Sequence, residues 1–326
     1  MDATHEGEEM NIQELTDAEW LAAHRSGEYV TGSMAATICG ANPYQSEYAL
    51  FHMIKGAIPW PEETRRMRVG KRLETLILEE YAAETERSVF AWEQRKVVIH
   101  DTLPWLICTP DATQRRQDQT VNEMPGLLEI KTGDVFSASA RNWKEGQIPL
   151  AHQVQIQVQL ACTGLTWGTM CGMIGTGGDL FYQDVEPNAD FIAAMIAACE
   201  RFLERLRTND SPAPDGSDSS TDAIRALYRR DDGPCVELPI EAVEKDARLR
   251  ELKAELKARE TEKVGIENWL KDQIGDNEAG ECGDMRYTYK SQTRQNISDK
   301  GREHLLFLND PEMFEAVKYK VLRRAK

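Results

Sequence analysis

Hydrophobic residues recur along this chain with two different periods, and the alternation between them sets the expected architecture. Between residues 68 and 83, Val69, Leu73, Leu76, Ile77 and Tyr81 stand at helical spacing, which predicts a helix with one buried stripe. Residues 191–206 repeat that pattern as an amphipathic helix. Short apolar runs at 96–100, 105–109, 126–131, 168–174 and 180–185 predict strands. Ser33 is placed to N-cap a short helix that runs through Ala36 and stops near Gly40. Helices and strands interleave, so the region is mixed α/β.

Residues 208–220 are small, polar, acidic and rich in Pro, Gly and Ser, which predicts a linker. Beyond it, residues 240–274 read as a long charged helical stretch. Its stripe of Leu249, Leu252 and Leu256 lasts only two or three turns, too short for a coiled coil, and predicts a helical hairpin or a docking helix. Residues 285–290 alternate like a strand, with Met285, Tyr287 and Tyr289 on one face, and residues 312–322 predict a last short helix. Tyr287 and Tyr289 beside Arg286, Lys290 and Arg294 fit base stacking, but packing of the tyrosines on the long helix is the preferred reading.

Composition narrows the class. At 326 residues, with 41% hydrophobic and 29% charged residues, the chain suits a large globular domain with an appendage. No apolar run approaches the roughly 20 residues of a membrane span, and the acidic start lacks a signal-peptide pattern. Seven cysteines are scattered without a C-x-x-C pair, which predicts reduced thiols in a cytoplasmic setting and disfavours an iron–sulfur cluster. The net charge of −16 argues against nucleic acid only until its distribution is read. Residues 1–28 hold one Lys or Arg against eight Asp or Glu, residues 208–222 none against four, and residues 223–326 balance at 21 against 21. Most of the excess lies in a tail and a linker, so DNA stays open as a partner.

The candidate chemistry centres on Asp111, after Thr109-Pro110, and on Glu129-Ile130-Lys131. If 105–109 and 126–131 are neighbouring strands, Glu129 and Lys131 share one face, Ile130 enters the core, and Asp111 closes on Glu129. Two carboxylates and a lysine suit phosphodiester hydrolysis by a divalent metal. E-x-K alone fits an ordinary exposed hairpin equally well.

Three other stretches add context. Glu74 shares a helix face with Leu78 and Tyr81, where an acid is costly unless paired or metal-bound. Just before it, Arg65, Arg66, Arg68, Lys71 and Arg72 form a candidate phosphate track or a solvated charge run. Ser33, after Thr31-Gly32, is a plausible anion site as well as a cap, with Arg25 nearby in sequence. Gln153, Gln155, Gln157 and Gln159 alternate with Val154, Ile156 and Val158. That periodicity favours a strand; as a helix it would place Gln155 with Gln159, and Gln153 with Gln157.

With Arg…T-G-S, G-x-x-x-E, T-P-D, E-I-K and Q-V-Q-x-Q-x-Q-L-A-C-T-G in this order, the chain resembles the YqaJ-like viral recombinase family over about residues 18–207. These are relatives of the lambda-type exonuclease among the PD-(D/E)xK nucleases. The resemblance implies an α/β (α+β), restriction-endonuclease-like core, a central mixed sheet flanked by helices, plus a C-terminal helical and β-hairpin appendage. It places the glutamines at the start of a helix, against their periodicity. The domain plan becomes an acidic N-terminus (1–17), an exonuclease domain (18–207), a linker (208–222) and a C-terminal region (223–326).

Carried over residue by residue, the resemblance implies that Asp111, Glu129 and the carbonyl of Ile130 hold Mg²⁺ or Mn²⁺, with Glu74 at a second ion. Lys131 would position and help deprotonate the attacking water. Gln155, or less readily Gln157, would fix the lysine or the water, and Arg25 and Ser33 would grip a 5′-terminal phosphate. Two departures stand out: His152 where tyrosine is common, and Asp111-Ala112 in place of Asp-Gly. The implied activity is a 5′→3′ exonuclease on duplex DNA ends, with a single-strand-annealing partner and a trimeric or tetrameric ring. A structure-specific endonuclease of the same core and a non-catalytic DNA-binding scaffold are the alternatives.

Overall fold

The chain enters its fold through a short strand, β1 (Ile12–Glu14), and Thr16 then caps helix α1 (Asp17–Ala23) in a reciprocal capping box with Glu19. The computed structural model describes residues 10–134, 138–175, 178–229, 233–297 and 314–325. Helix α2 (Gly32–Ile38) is capped by Thr31, whose hydroxyl accepts from Met34 N, so Ser33 lies inside the first turn and is not the cap. Helix α3 (Glu47–Ile54) follows. Helix α4 (Arg65–Thr85) begins earlier than its apolar stripe because Thr64 caps it through Met67 N.

Strands β2 (Ser88–Ala91), β3 (Lys96–Ile99), β4 (Ile107–Cys108), β5 (Ala112–Arg115) and β6 (Gly126–Gly133) come next. Helices α5 (Ala138–Lys144) and α6 (Leu150–Thr163) then carry the chain over to β7 (Gly168–Ile174), and β8 (Leu180–Val185) returns antiparallel to it. The central sheet has the order β2-β5-β6-β7-β8, and only β6 and β7 are parallel in it, as their helical crossover requires. It is a mixed sheet flanked by helices.

One expected pairing is different. The run that became β4 joins β1 and β3 in a separate three-stranded sheet, while the antiparallel neighbour of β6 is β5, immediately after Asp111. β5 was not expected because it reads Ala-Thr-Gln-Arg, with almost no apolar signal. Its Gln114 is nevertheless fully buried. The amide nitrogen donates to Leu127 O at 2.6 Å and Thr169 Oγ1 at 2.8 Å, and its oxygen accepts from Tyr81 Oη at 2.8 Å.

The two faces of β6 meet different helices. Leu128 and Ile130 pack against Ile77 and Tyr81 of α4, and Leu127 faces Ile156 and Leu160 of α6. The opposite flank of α6, Val154, Val158 and Cys162, packs with Met34 of α2 and with Phe202. α6 is therefore covered on two sides, and its alternating sequence is a helix with two apolar stripes and two glutamine stripes. At helical spacing Gln155 and Gln159 share one stripe, Gln153 and Gln157 the other. The strand indicated by periodicity is replaced by this helix. Gly32 permits the close approach of α2: a Cβ there would sit 3.3 Å from Gln155 Cα.

Helix α7 (Ala189–Thr208) ends at Asn209 in the left-handed region (φ 58°). The stretch expected as a linker then contains the start of another helix, α8 (Asp218–Leu227). Ser46 N donates to Ser219 Oγ at 3.0 Å, Ser220 Oγ donates to Ser46 Oγ at 2.9 Å, and Ala223 packs with Tyr48 and Ile58. Serine-rich composition here marks buried hydrogen bonds as well as loop. The first compact unit spans Met1–Asp232 and the second Gly233–Lys326.

In the second unit, α9 (Glu241–Ile274) is one unbroken helix and not a helical hairpin. β9 (Ala279–Cys282), β10 (Met285–Ile297) and β11 (Phe314–Ala325) form an antiparallel sheet in the order β11-β10-β9. β11 replaces the expected last helix; Glu312 lies outside the described residues. Its Val-Lys-Tyr-Lys-Val run alternates with period two and pairs along the length of β10. Tyr287 lines a shallow hollow with Ile266 and Leu270 of α9, consistent with helix packing.

Candidate active site

The hydrogen bond from Ile130 N to Asp111 Oδ2, 2.7 Å long, joins the two halves of the candidate site. It exists because β5 begins one residue after Asp111 and runs antiparallel to β6, with Ala112 opposite Leu128. Alternation along β6 puts Glu129 and Lys131 on the face away from α4, and Lys131 Nζ donates to Glu129 Oε1. The other carboxylate oxygen, Oε2, accepts from Gln159 Nε2 at 2.6 Å. Glu129 is only 4% exposed, so these two bonds are what make its charge tolerable.

Electrostatics tie Glu74 to the same group. Burial, then repulsion from Glu129, pushes Asp111 well above the usual carboxylate range, with Lys131 and the Ile130 N–H opposing. Burial raises Glu74 as well, against the pull of Lys131. For Lys131, burial works against its charge, but Glu129, Asp111 and Glu74 together outweigh it and hold the ammonium form above its ordinary pKa. Glu74 also accepts from Gln94 Nε2 at 3.3 Å. Asp111, Glu129 and Glu74 are hard oxygen donors that raise one another's protonation, a donor set that suits a hard divalent cation. Among the described residues no three acidic, histidine or cysteine side chains already stand together as a metal cluster. Asp111 and Glu129, fixed by Ile130 N and Gln159, form the preorganised pair.

The expected glutamines divide. Gln155 shares its stripe with Gln159 and lines the same small cavity as Glu129; its Oε1 accepts from His152 Nδ1 at 3.4 Å. Burial and the nearby Lys131 push His152 down to about 4, so this ring is neutral. Gln157 points elsewhere: it donates to Glu186 O at 2.9 Å and accepts from Asn188 N at 2.8 Å, fastening the turn before α7. Gln159 is the residue that sequence reasoning missed. Only the helical partnership of positions 155 and 159 could have signalled it.

The proposed end-phosphate residues separate too. Ser33 lines the cavity with Gln159, where Thr31 Oγ1 lies 3.1 Å from its hydroxyl. Arg25 does not line it; the exposed Arg25 guanidinium lies over the Trp60 ring at 5.6 Å. The residue of that segment that does reach the cavity is His24.

Arg65, Arg66, Arg68, Lys71 and Arg72 are all exposed at the start of α4. Lys71 pairs with Glu63 at 2.8 Å, and Arg68 donates to Glu63 O at 3.1 Å. Cations at a helix N-terminus oppose the macrodipole, and the first turn of α4 holds no acid to offset them. This helix passes close to the end of β6: a Cβ on Gly70 would sit 3.2 Å from Thr132 Oγ1.

Comparison with known proteins fits this geometry. Residues 19–166 match the model of the YqaJ-like viral recombinase domain. No curated protein matches the chain. Among solved structures, LHK-Exo in complex with dAMP is 22% identical over 59% of this chain and 93% of its own, with a TM-score of 0.46. The alkaline exonuclease LHK-Exo from Laribacter hongkongensis gives the same identity and coverage with a TM-score of 0.44. A phage-related exonuclease from Haemophilus somnus is 8% identical over 56% of this chain and 96% of its own, with a TM-score of 0.39. Residues 19–166, which carry Glu74, Asp111, Glu129, Lys131 and the glutamine helix, belong to the YqaJ-like viral recombinase domain family.

Proposed function

We propose that this chain is a metal-dependent deoxyribonuclease that degrades duplex DNA 5′→3′ from its ends and leaves 3′ single strands for recombination by strand annealing. The observation that carries the reading is the union of Asp111, Glu129 and Lys131 at the β5–β6 junction, inside the matched domain.

Asp111, Glu129 and the carbonyl of Ile130 would hold Mg²⁺ or Mn²⁺, with Glu74 serving a second ion. Such an ion supplies Lewis-acid stabilisation of the scissile phosphate and makes a bound water more acidic. Gln159 holds the Glu129 carboxylate in one orientation. Lys131 orients the attacking water and faces the charge that develops on the phosphorane. The acids that hold Lys131 protonated are the same ones a divalent charge would neutralise, so its proton is loosest in the loaded site. The exposed arginines of α4 suit the DNA backbone, their unfavourable place at a helix start being offset by phosphate. A strand-annealing protein and a ring-like homo-oligomer belong to the same reading.

The test compares linear and covalently closed duplexes in Mg²⁺ and in EDTA, with label at either 5′ or 3′ ends. The reading requires Mg²⁺-dependent loss of 5′ label from linear DNA while circles survive. Equal cleavage of circles would make the chain an endonuclease of the same core, and no cleavage with intact DNA binding would make it a scaffold.

A further inference from the structure

Beside Glu129 lies a cavity of about 150 Å³ whose walls include Trp20, His24, Ser33, Gln155 and Gln159. Two buried polar atoms on residues lining it have no hydrogen-bond partner: Trp20 Nε1, a donor only, and Gln159 Oε1, an acceptor only. The Gln159 amide cannot be reversed, since its nitrogen must face the Glu129 carboxylate. Orphaned buried groups of this kind are rare and costly, and the pair calls for an occupant that both accepts and donates.

The cavity is poorly suited to an anion. No lysine or arginine lines it, and Glu129 and the Gln159 carbonyl oxygen both face anions unfavourably. His24 does not supply the missing charge. Trp20 O can only accept, so His24 Nδ1 carries the proton in their 2.8 Å bond, and burial followed by the nearby Arg95 lowers the ring's pKa. Its Nε2 is then a further acceptor. Ser33 and Thr31 offer hydroxyls that can serve either way.

We propose that this cavity receives the neutral 5′-hydroxyl of the strand being cut, accepting from Trp20 Nε1–H and donating to Gln159 Oε1, so that the chain takes unphosphorylated 5′ ends in preference to phosphorylated ones. This rests on the exonuclease reading and assigns its end specificity, in place of the phosphate grip expected from Arg25 and Ser33.

Fluorescence anisotropy of the full chain with hairpin duplexes carrying a 5′-hydroxyl or a 5′-phosphate, in Ca²⁺, tests the cavity without requiring turnover. The hydroxyl end binds about fivefold or more tightly, the value of one net hydrogen bond. Trp20→Phe, which keeps the ring and removes the N–H, erases that difference by weakening the hydroxyl end alone. Tighter binding of the phosphate end, equal binding of both ends, or an equal loss for both in Trp20→Phe overturns the proposal. Hydrolysis of both duplexes in Mg²⁺ is measured in parallel. Degradation with a phosphate preference sinks the cavity assignment and leaves the exonuclease intact; a hydroxyl preference in binding without degradation does the reverse.

Discussion

Gln159 donates from Nε2 to Glu129 Oε2 across 2.6 Å, so one glutamine of the α6 helix fixes the carboxylate on which the candidate site depends. A hydrogen bond to a buried charge is worth roughly 1.5–3 kcal/mol, about a 10- to 100-fold factor. Gln159→Leu, which keeps the volume, should lower kcat by about that factor while KM for DNA and Tm stay near wild type. A fall in Tm with unchanged kcat would make the residue merely structural.

Gln157 should behave in the opposite way. Its amide closes the turn before α7 through Glu186 O and Asn188 N, and Gln157→Ala leaves both backbone groups short of a partner. The expected loss is about 1–3 kcal/mol of stability, read as a lower Tm, with kcat of the folded protein unchanged. A collapse of kcat without loss of Tm would return Gln157 to the catalytic group.

The sequence made Asp111, Glu129 and Lys131 legible because strand alternation alone puts Glu129 beside Lys131. It could not order the glutamines, since a helix buried on two sides mimics the period of a strand. β5 escaped for a related reason: Gln114 is buried by hydrogen bonds, which leave no hydrophobic signature. Ser219 and Ser220 read as linker, yet they pin α8 to α3 through Ser46. Residues 314–322 read as helix because Lys and Glu are good helix formers, but their pairing with β10 decides otherwise.

The far end of the sheet supplies a pH dependence. Burial would raise Asp184, but hydrogen bonds from Arg87, Thr169 and Arg116 outweigh it and hold its pKa below the ordinary value. A depressed folded pKa means stability present above the unfolded value of about 3.9 and lost as pH falls through the folded one. Asp184→Asn should therefore destabilise at pH 7 and flatten the acid limb of a Tm-against-pH curve. Parallel curves for the two proteins would contradict this.

The central claim is that Lys131, held by Glu129 and beside Asp111, serves DNA hydrolysis. Its most direct measurement is the single-turnover release of acid-soluble nucleotide from linear duplex DNA in Mg²⁺, comparing wild type with Lys131→Ala at matched DNA occupancy. The account predicts a rate at least about 100-fold lower in the variant, the scale of positioned proton-transfer and charge-stabilising groups, with DNA binding retained. An undiminished rate in Lys131→Ala would contradict it.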